Sequence, residues 1–411
     1  MAAPLDGIRV VEIASFAAAP TAAAIMADLG AEVIKVEAIG GDPIRGLMKQ
    51  AKVPEGEINP DYVFQFINRG KRSIELNLDD PAGVDVAHRL IATADVVILN
   101  LLPDRRRRFQ IDVEHLHAVK PDLVIGLLSG YGEQGEEINR PGYDMTAFFA
   151  RSGLIGGMAP PGQAPPHPRP GQGDHTTSMA LFGGLMAALR GRDLTGEGQV
   201  IETSLLRTAS FTIGVDLATA VVDGNPTPDR PREKALSVML EAFQCADGRW
   251  IQFAMPGRKG AWEQFCHAIE REDLIDHELY ATGKLRYQNM PPLIATVEET
   301  MATRTSEEWA VRLDEHRCIW APVNDAASAA QDPQVRAAGV FAEVTHPEVG
   351  TFETVGAPFR MPDNPEVGPR GPAPEVGQHS IEILTDLGYS TDEITALSDG
   401  GVVSGPSAAG D

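Results

Sequence analysis

Residues 8–37 read IRVVEIASFAAAPTAAAIMADLGAEVIKVE. Ile8 to Ala14 is a short apolar run fit for a buried strand, and Pro20 to Leu29 is a small-residue helix. Ala31 to Glu37 is a second strand. Working outward, the alternation continues. Ser73 to Leu78 is a third strand, and Pro81 takes the first position of a helix reaching Ala94, behind Asp79 and Asp80. Asp95 to Leu101 and Asp122 to Ser129 are further strands around a short helix near Asp112 to Val119. Apolar strands alternating with helices predict an α/β fold with a parallel sheet covered on both faces. Ligands in such sheets bind beyond the carboxyl ends of the strands. That rule points to the residues after Ala14, Glu37, Asn100 and Ser129.

Gly171 to Leu189 (GQGDHTTSMALFGGLMAAL) follows a loop carrying Pro160, Pro161, Pro165, Pro166, Pro168 and Pro170. Leu181, Leu185, Ala188 and Leu189 form the apolar stripe of a helix. Asp174 stands where loop becomes helix, beside Gly173, whose lack of a side chain admits close approach of a bulky partner. Two roles fit Asp174. It caps the helix, worth about 1 kcal/mol, or it is a nucleophile kept ionised by the positive helix end. Position alone leaves both open. His175 is a candidate general acid or base, but reads first as an exposed first-turn residue.

Further along, Val200 to Leu206 is extended, and a long apolar helix follows to about Asp223. Gly224 to Arg232 is a proline-rich linker. Phe243 to Ile251 reads as a hairpin turning at Asp247-Gly248. Helices follow near Ala261 to Ile269, Leu293 to Thr303 and Ser306 to His316, and two short ones close the chain at Ile381 to Leu387 and Thr391 to Leu397.

The 411 residues suffice for two cores. A formal net charge of −23 argues against nucleic acid or an anionic membrane as the main partner. No apolar run reaches the roughly 20 residues of a membrane span. The first residues lack a secretory pattern. Cys245, Cys266 and Cys318 show no metal-ligand spacing, so no metal is expected, and reduced thiols suit a cytoplasmic protein.

Gly130-Tyr-Gly-Glu-Gln-Gly135 matches the dinucleotide spacing GxGxxG and follows a strand. Glu136, Glu137, Pro141 and Gly142 then place acid at the phosphate position and interrupt any helix, so the match is accidental. Arg105 to Arg108, just after the strand end at Asn100, is either a solvated charge run or a phosphate-binding cluster. Tyr143-Asp144 begins a helix returning toward the site.

Several of these segments together resemble family III CoA transferases, the group of formyl-CoA transferase, carnitine CoA-transferase and α-methylacyl-CoA racemase. They are PLDGIRVVE from Pro4, ADLGAEVIKVE from Ala27, NRGKRSIELNL from Asn68, ADVVILN from Ala94 and LSGYG from Leu128. PGYD from Pro141, Gly173-Asp174, TGEGQVIETSLL from Thr195, DPQVR from Asp332 and GQHS from Gly377 complete the set.

The resemblance implies an acyl-CoA:carboxylate CoA-transferase with Asp174 as nucleophile. The family's CoA-contacting positions fall on Ala18, Leu76, Asn100, Leu101, Arg108, Phe109 and Tyr143. It also implies a large Rossmann-like domain (1–223) completed by the C-terminal segment (326–411). A smaller α+β domain (224–325) lies between, and two chains interlock as a homodimer. Coenzyme A enters as acyl-CoA, with a small carboxylic acid as acceptor.

Some positions depart from the family. Ala17 replaces a glutamine, Ala38 a frequent basic residue, and Asp79 the lysine of formyl-CoA transferase. These weaken the expected nucleotide contacts and leave Asp174 intact. The glycine-rich lid of formyl-CoA transferase is missing between Phe243 and Trp262, which speaks against formate and oxalate. Racemases carry His at Tyr143, so Tyr143 favours transfer. A racemase or epimerase of the same fold, with Asp174 as base, and a non-catalytic CoA-binding protein are the alternatives. A nicotinamide dehydrogenase fits less well than either, since the phosphate loop is wrong.

Overall fold

The computed structural model describes residues 2–47, 52–53, 57–159, 162–225, 231–255 and 257–405. The chain divides into two compact units. One comprises 1–159, 164–225 and 337–411, the other 160–163 and 226–336. The return to the first unit thus comes at 337, where 326 was expected.

The first unit begins with β1 (Arg9–Ile13), α1 (Ala18–Asp28), β2 (Glu32–Glu37), α2 (Tyr62–Asn68) and β3 (Lys71–Leu76). Then come α3 (Pro81–Ala92), β4 (Val96–Leu99), α4 (Pro103–Arg108), α5 (Val113–Val119) and β5 (Val124–Ser129). After a π-helical segment at Asp144–Ala150 follow α6 (Leu154–Met158), α7 (Gln172–Thr195), β6 (Val200–Ser204), α8 (Leu205–Thr212) and α9 (Gly214–Asp223). The single long helix expected up to Asp223 is two, bent by 83° where α8 meets α9. Among the described residues no single helix is long and apolar enough to cross a membrane.

The second unit carries the expected hairpin. Its strands β7 (Ala242–Gln244) and β8 (Trp250–Phe253) pair antiparallel with Phe243 opposite Ile251, and β9 (Trp320–Pro322) adds to the other edge. Phe243, Phe253, Phe265 and Trp309 fill its core. Back in the first unit, β10 (Phe341–His346) and β11 (Gly350–Val355) form a separate antiparallel pair. Helices Ser380–Asp386 and Thr391–Asp399 precede β12 (Val403–Ser404), which pairs antiparallel with β3.

The main sheet runs β12-β3-β2-β1-β4-β5-β6, all parallel except β12. Neighbouring residues of β1 serve different cores. Val10 packs with α1 and α7, and Val11 and Ile13 pack with α3 and Ile383 and Leu384 of the C-terminal segment. Two covered faces are why the strand reads as a continuous apolar run. All of α1 is buried, and its alanines let α7 approach until the Ser178 hydroxyl donates to the Ala18 carbonyl at 2.5 Å. The strand order reverses between β1 and β4, and that switch point is where a crevice opens in such sheets.

The sheet also hides charge. Lys35 Nζ reaches Glu12 Oε1 and Asp42 Oδ2, both at 2.8 Å, and Lys71 Nζ reaches Glu12 Oε2 at 2.6 Å. All four side chains are buried. Burial works against the Glu12 charge, yet its two lysine partners hold the carboxyl below its usual range. The other Asp42 oxygen accepts the Phe16 and Ile44 N–H groups at 3.1 and 3.0 Å. The network therefore anchors the loop after β1, where Phe16 adopts φ +62°.

Candidate active site

At the switch point the loops after β1 and β4 are tied together. Ser15 N donates to Asn100 Oδ1 at 3.1 Å, and Asn100 Nδ2 returns a bond to the Ser15 carbonyl at 2.7 Å. Beyond this clasp lies a cavity of about 910 Å³ bordered by Ala18, Asn100, Leu101, Ser129, Tyr143, Asp144, Asp174 and His175. A second cavity of about 300 Å³ adjoins it, lined by Leu76, Leu78, Asp79 and Phe109 among others. Ser15, Leu101 and Arg105 border both. Seven of the eight positions singled out in the sequence thus line one or the other cavity. Arg108 lines neither. Its guanidinium pairs with Asp79 at 2.7 Å on the surface.

The remaining arginines of the run divide their tasks. Arg106 is buried against Glu133, and Arg107 pairs with Asp104 on the surface. Arg105 lies over the Phe109 ring, 5.3 Å from its centre, and has no ion pair among the described residues. The run is therefore neither a plain solvated stripe nor one phosphate cluster, and Arg105 is its member at the cavities. No helix opens at Gly130–Gly135, where the chain stays irregular up to Asp144. That removes the dinucleotide site, which needs a helix N-terminus.

Asp174 is the third residue of α7, and the cap is Gly171 at φ +88°. The capping role therefore falls away, since no side chain caps this helix. Gly173 is needed for packing. A Cβ there would sit 2.6 Å from Phe148 Cγ, so the bulky partner at this glycine is the chain's own π-helical segment. The same segment begins with buried Asp144, whose Oδ2 accepts the Gly171 N–H at 2.7 Å. Asp144 thereby fixes the loop that launches α7. Burial, and secondarily the Asp144 charge, push the Asp174 carboxyl up to about 7. The helix end was expected to keep this group ionised, and desolvation outweighs it.

His175 is not exposed as expected. It is half-buried, its ring edge-on to Phe66 at 5.0 Å and its Nδ1 3.4 Å from the Thr21 hydroxyl. Burial lowers its pKa, partly offset by the Asp144 charge. Tyr143 is 56 % exposed and meets Phe16 edge-to-face at 5.2 Å. Arg169, unpaired among the described residues, reaches the cavity from the exposed proline loop. Phe66, Asp144 and Arg169 escaped the sequence reading as site residues. Only Asp144, next to Tyr143, carried a signal there. Among the described residues no group of three or more His, Cys, Asp or Glu is placed to hold a metal.

Comparison with known proteins fits this arrangement. CoA-transferase family III matches residues 5–380. The chain is 33% identical over 399 residues to (R)-2-hydroxy-4-methylpentanoate CoA-transferase of Clostridioides difficile, covering 97% of this chain and 99% of that one. It is 29% identical over 402 residues to human succinyl-CoA:glutarate CoA-transferase, covering 97% and 90%. Among solved structures, a CAIB/BAIF family protein from Brucella suis superposes with a TM-score of 0.82 at 27% identity, over 94% of this chain and all of that one. A switch-point cleft holding an uncapped aspartate, and a family match over nearly the whole sequence, lead to one conclusion: this chain belongs to CoA-transferase family III and is a CoA-transferase.

Proposed function

We propose that the enzyme moves CoA between carboxylic acids with Asp174 as the covalent nucleophile. The observation that carries this is the Asp174 carboxylate, uncapped and half-buried in the larger cavity. One carboxylate oxygen attacks the thioester carbonyl, the C–S bond breaks, and an aspartyl mixed anhydride and CoA thiolate result. The thiolate attacks the aspartyl carbonyl and expels the donor acid, leaving Asp174 as a CoA thioester. The acceptor carboxylate expels the thiolate from that thioester, and the thiolate then takes the acceptor acyl group. No proton is transferred at any step. Main-chain N–H groups at Gly130 and in the first turn of α7 are the donors we assign to the developing oxyanions.

We assign the thioester end of CoA to the larger cavity, with Ala18, Asn100 and Tyr143 beside it. The nucleotide end goes to the smaller one, with Leu76 and Phe109. Leu101 and Arg105 stand at the junction. Arg108 belongs to this end through its pair with Asp79 and its place over the Phe109 ring, 5.7 Å from the ring centre.

The racemase alternative draws on one observation: Asp174 titrates near neutrality beside a neutral imidazole. Two groups of that kind can abstract and return a proton. Incubating a chiral 2-methylacyl-CoA in D₂O with and without an acceptor acid separates the two. The transferase forms a new acyl-CoA only with acceptor and incorporates no α-deuterium. Rapid exchange without acceptor assigns the enzyme to racemisation.

We also propose that two copies associate through α8 and α9. No residue of α9 is buried, and Phe211, Val215, Val221 and Val222 are between 83% and 88% exposed. An apolar face of that kind on a water-facing helix calls for a partner, and the family resemblance supplies a second copy. Light scattering should give twice the 44.0 kDa chain mass. A monomer at micromolar concentration contradicts the association.

A further inference from the structure

The larger cavity has one wall without a polar side chain. Val63, Phe66 and Ile67 lie at helix spacing on one face of α2, and Ile44 and Leu47 extend that surface. Ile44 and Ile67 are core residues of one apolar cluster, with Phe16 and Phe66 packed against it. Among the described residues nothing closes this wall, since Leu47 is 64% exposed and Val63 and Phe66 are only half-buried. Through Phe66 it touches His175, the residue next to Asp174.

The charges lie elsewhere. Arg105 stands at the junction with the smaller cavity, and Arg169 on the exposed loop before α7. Among the described lining residues no lysine or further arginine is present. Asp144 and Asp174 are acidic and burial lowers the pKa of His175, so a carboxylate laid against the apolar wall meets no cation on that wall.

We infer that this wall is the acyl-binding surface, and that it selects apolar monocarboxylic acyl groups, branched aliphatic or arylalkyl, over dicarboxylic ones. The inference rests on the transferase function proposed above. Because donor and acceptor acyl groups occupy the same mixed anhydride on Asp174 in turn, one wall sets the class of both acids. The names of the two relatives point to acids of different charge. The choice for this chain therefore comes from its own wall.

The test is kcat/KM for 3-methylbutanoyl-CoA and 3-phenylpropanoyl-CoA against succinyl-CoA, each with the same apolar acceptor acid. The apolar esters should lead by at least about 100-fold, as expected when an unpaired carboxylate must enter an apolar pocket. Val63→Arg, at a half-buried position on the wall, should narrow that ratio at least about tenfold by giving succinyl-CoA a partner. Equal or better use of succinyl-CoA by the wild type overturns the inference. So does an unchanged ratio in a folded Val63→Arg enzyme. Absence of transfer and of an Asp174 adduct with every ester removes the transferase function, whereas active transfer with the wrong preference removes only the acyl wall.

Discussion

Asp174→Asn should lose at least about 10⁴-fold in CoA transfer, because removing a covalent nucleophile removes the pathway rather than one contact. The amide matches the carboxylate in size and has no cap hydrogen bond to lose, so the fold and CoA binding should persist. Equilibrium binding of CoA within about threefold of wild type is the control. Mass spectrometry of the wild type with acyl-CoA and no acceptor should find the CoA thioester on Asp174. Wild-type turnover in the Asn variant would end the covalent mechanism. Retained binding without the adduct in wild type would leave a CoA-binding protein.

Much of this arrangement is written locally. Ile8 to Glu37 states strand, helix and strand through local apolar patterning, and Pro81 behind Asp80 marks a helix start that the Asp80 carboxylate does cap. Other features depend on residues distant in sequence. The order of the strands, and so the switch point between β1 and β4, arises from pairings that no local pattern encodes. Lys35 interrupts a strand that reads as apolar, Lys71 stands ahead of the strand read from Ser73, and only the fold brings Glu12 between them. Helix α2 has seven residues, too few for a periodic signal, yet it supplies Phe66 and Val63 to the cavity. Capping by Asp174 was a fair expectation from its place after a glycine-rich turn. Gly171, in a left-handed conformation, starts the helix earlier and turns Asp174 into a first-turn residue. His175 reads as exposed because its partners, Phe66 and Thr21, come from α2 and α1.

The raised pKa of Asp174 ties activity and stability to the same proton with opposite signs. The nucleophile must be ionised, so with a free-enzyme value of about 7, kcat/KM should fall roughly tenfold per pH unit below neutrality. At about pH 5 the loss is about 100-fold. Burial is the larger cause and the Asp144 charge the second. Asp144→Asn, which keeps an acceptor for the Gly171 N–H, should therefore move the acid limb to lower pH without restoring an ordinary carboxylate. Other titratable side chains lining the cavity are His175, whose pKa burial lowers, and the guanidinium groups of Arg105 and Arg169. Stability runs the other way. A folded-state pKa raised from 3.8 to about 7 means the native protein binds this proton more tightly than the unfolded chain. That contribution is complete below about pH 4 and is lost as pH rises through about 7. Asp174→Asn, neutral at every pH, should match wild type in denaturant midpoint near pH 4 and exceed it near pH 8. The ceiling is on the order of 4 kcal/mol, at about 1.4 kcal/mol per unit, and solvent reaching the open cavity will hold it lower. A variant that is inactive yet more stable in alkali than the enzyme is what a desolvated nucleophile requires. If the two midpoints coincide at pH 8, Asp174 titrates as an ordinary carboxylate and the acid limb belongs to another group.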